Sequence, residues 1–195
     1  MTVDDHLKEG GFHYMESAEL RLTPFSVDGR ILDIGGGGEG MIGRLMGPGV
    51  VAIDTSRDEL DEAPDGPLKI LMDARSLRFL DGTFAAATAF FSFLYLRPEH
   101  HPDVLREVHR VLLAAGTFRI WDVDLHPRGD RPENVVVQPL VVHLPEESIE
   151  TGYGALWPEQ GSTLDHYLAL AEEAGFRVLE RRRRASTFYL ELGKL

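Results

Sequence analysis

Arg30-Ile31-Leu32-Asp33-Ile34, followed at once by Gly35-Gly36-Gly37-Gly38-Glu39-Gly40, is the stretch whose reading decides the fold. A short apolar run reads as a buried strand, and Met41-Ile42-Gly43-Arg44-Leu45-Met46 beyond the glycines reads as a helix. Glycines at such a turn permit positive φ and let a ligand approach the main chain, while the helix start offers N–H groups. Outward from this unit the alternation continues, with strands expected at Val50-Val51-Ala52-Ile53, at Leu68-Lys69-Ile70-Leu71-Met72 and over residues 84–91. Residues 100–113 place Val104, Leu105, Val108, Val111 and Leu112 on one helical face, Gly116 stops that helix, and Thr117-Phe118-Arg119-Ile120-Trp121 forms a fifth strand. The chain closes with a helix over residues 164–174, Gly175 as its stop, and two strands joined by a short turn.

Parallel neighbours need crossovers, whereas strands joined by a short turn must run antiparallel. The expected fold is therefore α/β: a Rossmann-like three-layer αβα sandwich on a mostly parallel seven-stranded sheet with an antiparallel C-terminal hairpin strand. A single domain over residues 1–195 is expected. Residues 1–28 form a helical cap that ends in the turn Pro24-Phe25-Ser26-Val27-Asp28-Gly29, and the proline-punctuated residues 123–162 form an insertion over the site. Within that insertion only Val135-Val136-Val137 and Leu140-Val141-Val142 read as extended.

Composition narrows the function. A net charge of −12 argues against nucleic acid as a partner. No apolar run is long enough to cross a membrane and no signal pattern opens the chain, so a cytoplasmic, membrane-free protein is expected. With no cysteine there is no disulfide, thiolate metal site or cysteine nucleophile. The one basic run, Arg181 to Arg184, reads as a solvated strand end, with an anion or partner contact as the alternative.

Gly35, Gly37 and Gly40 satisfy G-x-G-x-x-G, and Asp54 follows the second strand, so a dinucleotide site is formally met. Asp33 points elsewhere, because a carboxylate at the strand tip would repel a pyrophosphate and suits a cationic ligand. S-adenosylmethionine, with its sulfonium and ammonium groups, matches an acid beside exposed N–H groups. On these residues the chain resembles class I S-adenosylmethionine-dependent methyltransferases. The resemblance implies that Asp33, Gly35, Gly36 and Gly37 hold the methionine part of the cofactor and that Asp54, with Thr55, binds the ribose. It further implies that Asp73-Ala74 meets the adenine and that Phe90 and Phe91 line the pocket. Capping or turn roles remain open for Asp33, Asp54 and Asp73, and core packing for the two phenylalanines. Ala85, and Ala114-Ala115 before Gly116, depart from the family pattern at structural positions, and one additional glycine expands the loop.

Methyl transfer needs alignment more than a fixed catalytic group, and a base only when the acceptor must lose a proton. Candidates for that role are Asp122, His126, His143 and Tyr153, with Asp124, Glu146 and Glu150 nearby in sequence. Asp122, Asp124 and His126 could in principle bind a metal, but alternate residues of a strand face opposite ways, so no metal is expected. Tyr153 and Trp157, together with Phe12, His13 and Tyr14, could form an aromatic lid or simply pack the cap on the core. The acceptor is expected to be a small molecule. The alternatives are a non-catalytic cofactor-binding protein of the same fold and an NAD(P)-dependent oxidoreductase.

Overall fold

The computed structural model describes residues 11–195. Its main sheet contains β3 (Ile31–Ile34), β4 (Val50–Asp54), β5 (Leu68–Leu71), β6 (Phe84–Phe90), β7 (Leu112–Val123), β10 (Phe176–Arg184) and β11 (Thr187–Lys194). Their order is β10-β11-β7-β6-β3-β4-β5, with β11 antiparallel to both neighbours and all the other pairings parallel. The expected parallel sheet with its antiparallel hairpin strand is therefore present. Order reverses beside β3, where the chain runs out to β4 and β5 and then crosses back to β6. A sheet of this kind opens its ligand crevice at such a switch point, beyond the carboxyl ends of the strands.

One face of the sheet is buried by α3 (His101–Val111) and α4 (Leu164–Glu173). Val104, Leu105, Val108 and Val111 of α3 recur at helical spacing and are fully buried against Phe84, Phe118 and Ile120. The helix stops one residue before Leu112, which is extended and pairs with Phe84 as the first residue of β7. Leu112 was expected inside the helix; its sheet partner outcompetes one further helical turn. Ala115 has φ +60°, and the register of β7 on β6 shifts there, so the family-atypical alanines sit in an irregularity of the strand.

The other face is covered by α1 (Met41–Met46) and by a second, four-stranded sheet of β1 (Phe12–Tyr14), β2 (Ala18–Arg21), β8 (Val135–His143) and β9 (Ser148–Leu156). This corrects the expected helical cap: residues 12–14 and 18–21 are strands, and the remainder of that segment up to residue 10 lies outside the described residues. It also corrects the reading of the insertion, whose extended pieces are one continuous strand, β8, paired antiparallel with β9. β1 and β2 lie end to end along the other edge of β8, at Val135 to Val137 and Leu140 to His143. Pro139, which has no N–H to give, falls in the gap between them, where Gln138 Nε2 donates to the Glu16 carbonyl at 2.9 Å.

Asp124, buried just beyond β7, ties α4 to strand β10 of the main sheet. Its Oδ1 accepts from the Leu164 N–H at the start of α4 at 2.9 Å, and its Oδ2 pairs with Arg183 Nε at 2.6 Å. We expect Asp124→Ala to destabilise the protein by about 1–3 kcal/mol, because it leaves an orphaned helix donor and leaves Arg183, which is half-exposed, only its longer pairing with Asp165. Urea denaturation would measure this, and an unchanged midpoint would refute it.

Candidate functional site

At the carboxyl ends of β3, β4, β5 and β6 lies a cavity of about 390 Å³. Its lining includes Asp33, Gly35, Gly37, Asp54, Thr55, Asp73, Ala74, Phe90 and Phe91, residues brought together from four separate stretches of chain. Five carboxylates face it: Asp33, Glu39, Asp54, Glu59 and Asp73. Among the described residues no arginine, lysine or histidine does.

The glycine loop is shaped by close approach on every side. A Cβ on Gly36 would stand 2.7 Å from Asp33 Oδ2 and 2.8 Å from the Ala52 Cβ, so Gly36 packs against the strand ends while its neighbours Gly35 and Gly37 line the cavity. A Cβ on Gly37 would stand 2.6 Å from that of Glu59. The N–H groups of Gly35 and Gly36 both donate to the Ile53 carbonyl, that of Gly38 to Glu59 and that of Gly40 to Gly37. Three of these amides thus tie the loop to β4 and to α2 (Arg57–Glu62), and the fourth closes the loop on itself.

Each acid has its own circumstances. Asp33 is buried and held by Thr88 Oγ1 at 2.7 Å; burial pushes its pKa up to about 7, the Thr88 bond opposes this, and Asp54 raises it further. Asp54 Oδ1 accepts from the Ser56 N–H at 2.8 Å, while Ser56 itself caps α2 through Glu59 N. Asp54 is therefore not the helix cap, and its Oδ2 lies toward Gly37. Asp73 is gripped by Arg75 through both carboxylate oxygens, which holds its pKa below the usual range. Glu59 is pushed upward by burial and then by its acidic neighbours.

The second sheet reaches this cavity through one side chain. Tyr153 of β9 lies parallel to the Phe91 ring at 5.2 Å and donates from its hydroxyl to Glu39 Oε2 at 3.2 Å. Thr151 donates to the other oxygen of Glu39, so the tip of the glycine loop is latched to β9. Burial and the Glu39 charge hold the Tyr153 phenol well above its ordinary pKa, so it is a donor near neutrality. Phe91 has φ +49°, a strained conformation for a phenylalanine, held by burial and by its N–H bond to the Trp121 carbonyl. Ser92 Oγ, also on the cavity wall, is buried with no hydrogen-bond partner among the described residues. Sequence reasoning passed over Glu59 as a site residue, and reached Glu39 and Ser92 only as members of the loop Asp33 to Gly40 and of the pocket-lining segment Ala89-Phe90-Phe91-Ser92.

The other candidate bases lie elsewhere. Asp122 is buried beneath the sheet end, accepting from the Phe93 and Val123 amides at 3.0 and 2.8 Å, with its pKa raised to about 7 by burial. The side chain of His126 is exposed, and its carbonyl accepts from Trp157 Nε1. His143 sits on the β8–β9 hairpin, bonded to Ser148 Oγ at 2.8 Å. The possible Asp122, Asp124 and His126 set does not converge, since the first two are spent on backbone amides and Arg183. Of the expected aromatic lid, Tyr153 lines the cavity, while His13 and Trp157 pack on each other at 5.0 Å.

Comparison with known proteins agrees with this geometry. A family described as a methyltransferase domain matches residues 32–120, from β3 to β7. A Synechocystis protein described as an uncharacterized methyltransferase is 28% identical, with 89% of this chain and 77% of that one aligned. Among solved structures, an S-adenosylmethionine-dependent methyltransferase of Methanosarcina mazei superposes with a TM-score of 0.62 at 18% identity, covering 90% of this chain and 99% of its own. The [4+2]-cyclase SpnF does so equally well, at 0.62 and 19% identity over 88% of this chain and 76% of its own. With its glycine loop and strand order, the chain has the Rossmann-like fold of class I S-adenosylmethionine-dependent methyltransferases, and its residues 32–120 match the methyltransferase domain family.

Proposed function

We propose that the protein transfers the methyl group of S-adenosylmethionine to a small-molecule acceptor. The observation that carries the reading is the cavity's charge: five carboxylates and no basic side chain among the described residues suit a ligand with a sulfonium and an ammonium group and repel a pyrophosphate. The same feature disfavours the NAD(P)-dependent alternative. Residue chemistry fits the cofactor in detail. Asp33 and the loop would hold the methionine end, Asp54 the ribose hydroxyls and Asp73 with Ala74 the adenine edge, with Ser92 Oγ offering an unspent hydroxyl.

When bound, the cofactor supplies an activated methyl group on a positively charged sulfur. The chain's own contribution is alignment and exclusion of water: Phe90, Phe91 and Tyr153 form an aromatic wall, and the Tyr153–Glu39 bond holds that wall against the loop. None of the acids lining the cavity is required as a universal base, and the acceptor decides whether one is used. The fold alone does not dictate methyl transfer, as the cyclase relative illustrates, so the test must read both binding and chemistry.

Calorimetric titration with S-adenosylhomocysteine should give micromolar binding that Asp54→Ala weakens by about tenfold, the loss of one good charge-assisted bond. Transfer of labelled methyl from S-adenosylmethionine across a small-molecule panel then distinguishes a methyltransferase from a protein that only holds the cofactor. No binding by folded wild-type protein would overturn the proposal.

A further inference from the structure

The basic run of the C-terminal hairpin finds a use that the cofactor cavity does not explain. Side chains alternate along a strand, and β10 divides its arginines accordingly. Arg183 turns to Asp124 and Asp165 at the α4 layer. Arg182 and Arg184 line a second cavity of about 410 Å³, on the sheet face covered by β2.

Arg21 and Arg119 complete that groove, so four guanidiniums gather in a chain whose net charge is −12. Three acids offset them in part: Glu19 and Glu191 on the groove wall, and Glu180, which pairs with Arg182. Glu191 is committed to Arg119 at 2.7 Å and accepts from Tyr189 Oη at 2.8 Å, leaving Arg21 and Arg184 without an ion pair to any described residue. The groove also has flat walls. Trp121 and Tyr189 rings meet at 5.0 Å, Arg119 lies 4.1 Å over the Phe25 ring, and Arg182 lies 5.3 Å over Tyr189. Arginine planes stacked on half-buried rings are built for a flat anion, since the fork binds an oxyanion while the ring stacks.

We infer that this groove is a second ligand site, taking a small anionic molecule with an aromatic body, an aryl phosphate or aryl carboxylate. Its sign is opposite to that of the first cavity, so the two sites select different ligands. The Phe90 ring, on the cofactor cavity wall, lies 6.1 Å from Trp121, so the two sites share an aromatic partition. The assignment rests on the groove alone and stands whether or not the first cavity holds S-adenosylmethionine.

Trp121 is a built-in reporter, one of two tryptophans in the chain. Titration with phenyl phosphate, and separately with benzoate, should change tryptophan emission saturably, and Trp121→Phe should remove the change. The arm that binds tighter identifies the oxyanion. The double variant Arg21→Gln/Arg184→Gln, at two exposed positions, should weaken binding about tenfold or more while leaving S-adenosylhomocysteine affinity unchanged. Inorganic phosphate alone should bind more weakly than phenyl phosphate. The assignment is overturned if neither aryl anion gives a saturable response, if the response survives loss of both arginines, or if phosphate binds as tightly as the aryl compound.

Discussion

Asp33→Asn is expected to weaken S-adenosylmethionine binding by about 10–100-fold at pH 8 while making the apoprotein more stable, by about 2–4 kcal/mol. Both effects come from one buried carboxylate. Burial raises its pKa from 3.8 to about 7, so the folded protein holds a proton there that the unfolded chain releases near pH 4. Between those values the folded state binds more protons, and stability attributable to this group falls as pH rises, with the full cost present above about 7. Asparagine retains the side-chain shape and can still accept from Thr88 Oγ1, but never ionises. The gain in stability should therefore be full at pH 8 and vanish near pH 4, where aspartic acid and asparagine behave alike. A cationic ligand restores the value of the ionised form. Wild-type affinity should accordingly fall toward that of the variant as pH drops through 7, and binding near pH 7 should release a proton. Calorimetry in buffers of different ionisation enthalpy measures the proton, and urea denaturation at the two pH values measures the stability. A variant that binds as tightly as wild type at pH 8, or is less stable there, would show that Asp33 does not meet a cation.

Gly37→Ala is expected to abolish measurable cofactor binding and to cost about 1–3 kcal/mol in stability. The added methyl would stand 2.6 Å from the Glu59 Cβ, 3.0 Å from its backbone carbonyl carbon and 2.9 Å from Asp54 Oδ2. The backbone of Glu59 cannot retreat easily, because its carbonyl anchors the loop through the Gly38 N–H at 2.8 Å. Either that bond breaks or Asp54 moves from the position proposed for the ribose. Gly49→Ala is the matched control: a Cβ there meets nothing within 4 Å, and its φ is not positive. Gly49→Ala should bind S-adenosylhomocysteine as wild type does, and equal loss in both variants would defeat the account.

Much of the fold was legible because its signals are local. β3, the glycine loop and α1 are contiguous, and the acids at residues 54 and 73 follow strands whose apolar runs mark their own ends. Short connections likewise required β10 and β11 to be antiparallel neighbours. A sheet that opens at its switch point then carries Asp33, Asp54, Asp73 and Phe90 to one cavity without further instruction. The second sheet was not legible. β1 pairs with residues more than 100 positions away, and three- or four-residue strands are too short for a period to declare itself.

The sequence by itself determined the parallel sheet, its closing hairpin and the acidic loop on which the cofactor assignment stands, since each is written in neighbouring residues. Only the tertiary structure decided which polar groups were left for a ligand. Asp122 and Asp124 were spent on amides and an arginine, Glu39 was latched to Tyr153 and Thr151, and the arginine run was split by alternation between Asp124 and an open groove. A side chain's availability depends on partners that folding brings from elsewhere in the chain, and no local pattern records them.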